Sequence, residues 1–384
     1  MTMRRFLIPL VVLMAIAPVV WAQPAEDGRL FEQVQPKLSE ALELYDRHKD
    51  LPDKTWIFGP DKKSNLSEIN KLLDEAVVML EISDLSATRQ RIRDLEAATR
   101  QSQRNIAEFR QKRLSAPDQA TVGLIESINP FSKTKQDYDA GIAAEQKAIE
   151  GNEKAINDLK DQFTVKLRES GLEVDRETVD GLLASVTGDD FIAMTAVFHN
   201  VKVLTEQLQT LTEDSGEALE FARRYHGMYV ILVKVLDRLQ KQFVADVRES
   251  HIPKLRDYAA QAQANIDQAQ KLIAIKGGDA GILATNIEAN KITIEVADQY
   301  AKYLEEQAKM IALENREVEK NLATAINSYH TVKVSSDVAA LIQTGRRNFE
   351  ELMKLRVPYP RPFRNEVLRR EFERMTRQLQ STGS

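Results

Sequence analysis

From Ile282 to Thr344 the chain contains neither Gly nor Pro, and its apolar positions recur at alternating intervals of four and three residues. The series Leu283, Ile287, Asn290, Ile294, Ala297, Ala301, Leu304, Ala308, Ile311, Asn315, Val318, Leu322, Ala325 and Tyr329 is a heptad seam. Spacing that averages 3.5 keeps one stripe turned toward a partner, so this stretch is predicted to be a long helix in coiled-coil-like packing. At 1.5 Å per residue, Leu283 to Tyr329 would span roughly 70 Å. Two polar residues, Asn290 and Asn315, interrupt the seam. Buried Asn at such positions fixes register or partner at a cost in stability, which makes both candidate specificity residues.

The same period runs through most of the chain. Leu30, Phe31, Val34, Leu38, Leu42 and Tyr45 form a helical stripe, with Pro36 placed to bend it. A loop from Asp50 to Asn65 carries the aromatic cluster Trp56-Ile57-Phe58, read as a plug for the end of a bundle rather than a binding surface. Ser67 is the expected start of the next helix. Two weaker seams follow, Leu85 to Phe109 and Tyr138 to Leu167, joined by a loop with Pro117, Gly123 and Pro130. They have the form of an antiparallel helical hairpin. Neither arm carries enough apolar surface to stand alone.

Beyond Gly171 the pattern thickens. Asp175 precedes a short helix, and Asp189 is the expected cap of the next, which carries Phe191, Met194, Val197, Phe198, Val201, Leu204 and Leu208. A further helix, with Leu219, Tyr225, Tyr229, Ile231, Leu232, Val235, Leu236, Phe243 and Val247, is apolar on more than one face and so is expected in the core. Pro253 should break or kink it near Ser250. An Ala-rich stripe from Leu255 to Ile273 then leads through Gly277, Gly278 and Gly281 into the long helix, as a second hairpin whose later arm overshoots the first. The run from His330 to Asp337 is β-prone and contains a new cap, so the rod should stop there and restart toward Gly345.

This divides the chain into a signal peptide (1–22), N-terminal helices with a coiled-coil hairpin (23–170), an apolar helical core (171–250), a long helical hairpin (251–345) and a basic tail (346–384). The fold class is all-α, an elongated antiparallel helical bundle with long coiled-coil-like helices. Aromatic residues make up 6% of the chain, and Ala, Leu, Glu, Gln, Lys and Arg dominate, which is helix composition.

The N-terminus changes the picture most. Arg4 and Arg5, the apolar block from Phe6 to Val20, and Val20-Trp21-Ala22 are the parts of a secretory signal peptide cleaved after Ala22. The block is too short and too interrupted by Pro9 and Pro18 to span a bilayer comfortably. The chain has no Cys, so disulfides, thiol chemistry and cysteine metal sites do not arise. Export without disulfides fits the Gram-negative periplasm.

Net charge is −5 for the whole chain. From Arg346 to Arg377 ten basic residues stand against five acidic ones, so an acidic body carries a basic tail. Bulk charge therefore argues against nucleic acid as a partner. In the tail, Pro358, Pro360 and Pro362 alternate with Tyr359 and Arg361 and force an extended segment. A last helix opens after Asn365 with Leu368, Phe372, Met375 and Leu379 on one face and Arg369, Arg370, Arg374 and Arg377 on the other. Tyr359, Arg361, Phe363, Arg369, Arg370, Phe372, Arg374 and Arg377 are the candidate contact residues. Their partner is an envelope protein or an anionic membrane surface; the plainer alternative packs the helix on the chain's own acidic body.

Candidate chemistry is sparse. The five histidines fall in no metal-ligand spacing. His226, beside Arg223, Arg224 and Tyr225, is explained as well by a helix surface as by proton transfer. Gly188-Asp189-Asp190 resembles a carboxylate pair for a metal, yet helix capping accounts for it. No cofactor motif is present, and Gly277 to Gly281 lacks the Lys and strand of a phosphate loop. The expected function is a non-enzymatic periplasmic scaffold or adaptor in a cell-envelope assembly, with a second copy of the chain as a further partner. The alternative is a helical-bundle ligand sensor enclosing an apolar ligand between Phe191 and Phe243. A helical pore-forming toxin ranks below both, since no hairpin is apolar enough to insert.

Overall fold

The computed structural model describes residues 27–54, 59–81, 84–118, 133–214, 219–334, 338–360 and 366–381. The expected signal peptide, the Trp56-Ile57-Phe58 cluster, and Arg361 and Phe363 lie outside the described residues. Among the described residues the regular structure is helical, without strands, and the chain is an all-α bundle. In order, the helices are α1 (Asp27–Arg47), α2 (Lys62–Leu80), α3 (Asp84–Ser115), α4 (Lys135–Glu169), α5 (Arg176–Ala184) and α6 (Gly188–Asp214). There follow α7 (Leu219–Ala245), a π-helical turn (Asp246–His251), α8 (Ile252–Ala274), α9 (Ala280–Val334), α10 (Val338–Lys354) and α11 (Glu366–Ser381).

Local chemistry sets many of these ends. Asp61, not Ser67, opens α2: its carboxylate accepts the Ser64 N–H at 2.7 Å while the Ser64 hydroxyl accepts the Asp61 N–H at 3.0 Å. Thr134 and Asp137 build the same reciprocal cap on α4. Helix α4 ends with Gly171 at φ 89°, its N–H on Arg168 O and the Leu172 N–H on Leu167 O. The end of α8 repeats that pair of bonds with Lys276 at φ 51°, so a side chain occupies the left-handed position that glycine usually takes. The long helix runs unbroken for 55 residues, about 80 Å at 1.5 Å each, and ends at Val334, so the β-prone start at His330 is helical, while the cap expected before Val338 lies outside the described residues.

Pro253 does not break the preceding helix. The chain passes from α7 into α8 through the π turn at Asp246–His251, with Pro253 in the first turn of α8 where a missing N–H is tolerated. This changes how α9 is covered. Arg223 donates to Val332 O (3.1 Å), Tyr229 to the Asn321 side chain (2.8 Å), Asn315 to Asp237 Oδ1 (3.1 Å), Arg248 to Glu305 (3.0 Å) and Asn265 to Asn290 (3.4 Å). Residue numbers rise along α7 and α8 as they fall along α9, so the pair is antiparallel from end to end. The half of α9 that the Ala-rich arm cannot reach is covered by α7, and by α10 and α11.

Burial follows that division. From Gly281 to Glu295 no residue of α9 is fully buried, and α8 offers it only Ala262, Ile266 and Ala269. From Val296 to Val332 the seam is core, with Tyr300, Leu304, Ala308 and Ile311 inaccessible. Helix α6 lies on α7, where the buried rings of Phe191 and Phe243 meet edge-on with centroids 5.1 Å apart. Helices α3 and α4 pack mainly on each other, with polar contacts such as Asn105 to Glu145 (2.8 Å) along the pair. The base of this hairpin meets α5 and α6.

Candidate functional site: a charged cleft beside the C-terminal helix

The last helix is amphipathic, and its apolar face is buried in the body. Phe372, Met375 and Leu379 are each 2–3% exposed. The Phe372 ring stacks on Tyr300 of α9 with centroids 4.0 Å apart and planes 11° from parallel. Phe372 is therefore a packing residue, which removes it from the candidate contacts: the apolar side of α11 is spent on its own chain. Behind the stacked rings runs a polar relay. The Val186 N–H donates to the Tyr300 hydroxyl (2.6 Å), which pairs with the Thr376 hydroxyl (2.8 Å), which donates to Ala184 O (3.0 Å). Burial raises the Tyr300 phenol, so it is a neutral hydrogen-bonding group. This relay satisfies backbone groups in the tight link between α5 and α6. The link is closed by Gly188, where a Cβ would lie 1.9 Å from Leu182 O.

The arginine side of α11 has a mixed fate. Arg370, Arg374 and Arg377 are exposed, while Arg369 is half-buried. Arg374 pairs with Glu371 at 2.7 Å. Tyr359 is 43% exposed and remains available, whereas Pro358 and Pro360 on either side of it are buried. Of the two seam amides, Asn315 is 6% exposed and donates to both Asp237 Oδ1 and Gln240 Oε1 at 3.1 Å. Its specificity is thus directed at α7 of the same chain. Asn290 is half-exposed and bonds Asn286 O at 2.8 Å.

Beside α11 lies a cleft of about 540 Å³ walled by α3, α4, α5 and α11. Helix α3 supplies Arg89, Arg93, Glu96 and Arg100, which spacings of four, three and four place on one face. Helix α4 adds Lys160, α5 adds Asp180, and α11 adds Glu373 and Arg377. Arg89 is 8% exposed, and burial draws its guanidinium down to about 10. Both Arg89 and Arg93 pair with Asp189. Asp189 lies inside the first turn of α6, one residue past its start, and its carboxylate holds these two guanidiniums. Lys160 bonds Asp180 at 2.8 Å, and Arg176 reaches the same carboxylate at 3.5 Å. Burial and the nearby Glu96 charge push the Glu373 carboxyl up, against the pull of Lys160, Arg377 and Arg369.

A second, acidic cleft lies on the other side of Asp189, with Asp190, Asp246 and His251 in its lining. Burial is the main cause that raises Asp190 to about 6, with Asp246 and Glu81 adding to it and Arg89 opposing. Among the described residues no group of carboxylates and histidines has a metal-binding arrangement. His226 is buried against Phe349 and so lies off the helix surface.

The tail residues thus meet partners that sequence reasoning did not single out. Arg89, Arg93, Arg100 and Lys160 sit on the coiled-coil hairpin, and the available signal was the run of cations flanking the polar seam of α3. Among the described residues no helix is long and apolar enough to cross a membrane. No protein family, curated protein or solved structure matches this chain.

Proposed function

We propose that the chain is a non-enzymatic scaffold or adaptor of a cell-envelope assembly, exported to the periplasm by a signal peptide cleaved after Ala22. The observation that carries the reading is the distal half of the α8/α9 hairpin. There two helices cover only each other, and Ile275, Ile282 and Ile292 are 73%, 63% and 52% exposed. Large aliphatic side chains grouped at one end of a hairpin are the usual mark of a protein contact. Tyr359, Arg370 and Arg374 add a second exposed surface on the tail, suited to the rim of such a contact. An elongated antiparallel arrangement of the whole bundle belongs to the same proposal, and a compact small-angle scattering profile would sink that part.

The test places a photoreactive amino acid at position 275, 282 or 292, one at a time, in cells producing the chain. Irradiation should give discrete adducts with an envelope protein, or with a second copy, that disappear when the probe moves to the buried position 304. Adducts at none of the three positions would refute the scaffold reading.

A further inference from the structure

We propose that the cleft between α3, α4, α5 and α11 binds a phosphate-bearing ligand, held by Arg100 and Arg377 from two different helices. The inference is independent of the scaffold reading and rests on which charges in the cleft are already committed. Asp189 is engaged by Arg89 and Arg93, with Glu96 close enough to support both. Asp180 is engaged by Lys160 and Arg176, and Arg176 also pairs with Asp161. What remains in the lining is Glu373 with two guanidiniums, Arg377, whose charge acts on it, and Arg100; neither makes an ion pair among the described residues.

A buried hydroxyl in the cleft wall is also unpartnered. The hydroxyls of Thr164, Thr195 and Thr205 each bond the carbonyl four residues back. Thr99, next to Arg100 on the cleft wall, makes no such bond and has no hydrogen-bond partner. A planar guanidinium presents paired N–H donors that match the oxygens of phosphate, and charge-assisted bonds of this kind are the strong ones. The chemistry therefore favours an oxyanion with several acceptors over a lone carboxylate. At 540 Å³ the cleft falls within the usual size of small-ligand sites, and it is larger than a bare phosphate needs. The phosphate is thus carried on a larger body, either a phosphorylated small molecule or a phospholipid headgroup.

The experiment uses the full mature chain and two probes. Pyrophosphate is titrated by calorimetry, and vesicles containing phosphatidylglycerol are compared with vesicles of phosphatidylcholine alone by co-sedimentation. Saturable binding of either anionic probe should fall at least tenfold in Arg100→Gln and in Arg377→Gln. Thermal unfolding of both variants should match the parent, because neither side chain makes an ion pair. The probe that binds identifies the source of the phosphate. No saturable binding of either probe, or binding that survives both substitutions, would overturn the proposal.

Discussion

Replacing Tyr300 by Phe is the sharpest test of how the C-terminal helix is held. The ring stays, so the 4.0 Å stacking on Phe372 and the buried apolar area are unchanged. What goes is the hydroxyl between the Val186 N–H at 2.6 Å and the Thr376 hydroxyl at 2.8 Å. Each net hydrogen bond is worth about 1 kcal/mol, and a buried N–H left without an acceptor costs about 1–3 kcal/mol. Tyr300→Phe should therefore destabilise by about 2–3 kcal/mol. The loss should be local before it is global. Amides of α11 should exchange roughly 30–100-fold faster in hydrogen-exchange mass spectrometry, while those of α6 and α7 keep their protection. Thr376→Val breaks the same relay one bond later and should cost about 2 kcal/mol, since it leaves Ala184 O and the phenol donor unpaired. The double variant should be less damaged than the sum of the two by about 1 kcal/mol, because both singles remove the shared bond. A Tyr300→Phe protein within about 0.5 kcal/mol of the parent, or strict additivity, would refute the relay.

Three other outcomes follow from the same geometry. Asn315→Leu should destabilise by about 1–3 kcal/mol, as it orphans the fully buried Gln240, and Gln240→Leu on top of it should restore most of the loss in urea titrations. Asp190 sits among Asp189, Asp246, His251 and Lys254, and its folded pKa of about 6 lies above the ordinary 3.8, so its ionised form opposes folding. That cost grows as pH rises from about 4 to 6 and is constant above; Asp190→Asn should stabilise by up to about 3 kcal/mol at pH 7.5 and by nothing near pH 3.5, and a gain independent of pH would contradict it. Lys276→Gly should raise stability by about 0.5–1 kcal/mol by relieving the left-handed backbone at the end of α8; no rise in the unfolding midpoint would mean the strain is absent.

The helices were legible because their seams and caps are local signals. Asp175 acts on a residue three positions away, and the heptad of α9 needs no knowledge of its partner. What was not legible is pairing across the chain. Pro253 reads as a break in isolation, since it lacks an N–H; only the π turn before it, sustained by packing on α9, lets α7 and α8 continue as one partner. Similarly Asp189 has the spacing of a cap, and nothing nearby in sequence announces that Arg89 and Arg93, a hundred residues earlier, will take its carboxylate. Phe372 reads as a candidate contact for the same reason, because amphipathic periodicity gives an apolar face without saying that the chain's own body buries it. The acidic body and basic tail were visible as charge, but not the cleft in which they meet.

Thr376 and Arg377 are adjacent residues of α11, one closing the buried relay and the other lining the cleft. A ligand that binds only when α11 is docked must stabilise the docked state by RT ln(1 + [L]/Kd), about 2.7 kcal/mol at a hundredfold excess over Kd. Pyrophosphate or anionic vesicles at saturation should therefore slow hydrogen exchange in α11 of the parent by up to roughly a hundredfold, and leave Arg377→Gln unchanged. The coupling is reciprocal, so Tyr300→Phe, which touches no cleft residue by charge, should weaken ligand binding in proportion to the fraction of undocked helix. Protection of α11 by ligand in the parent and in Arg377→Gln alike would place the bound anion elsewhere on the chain and separate the cleft from the clasp.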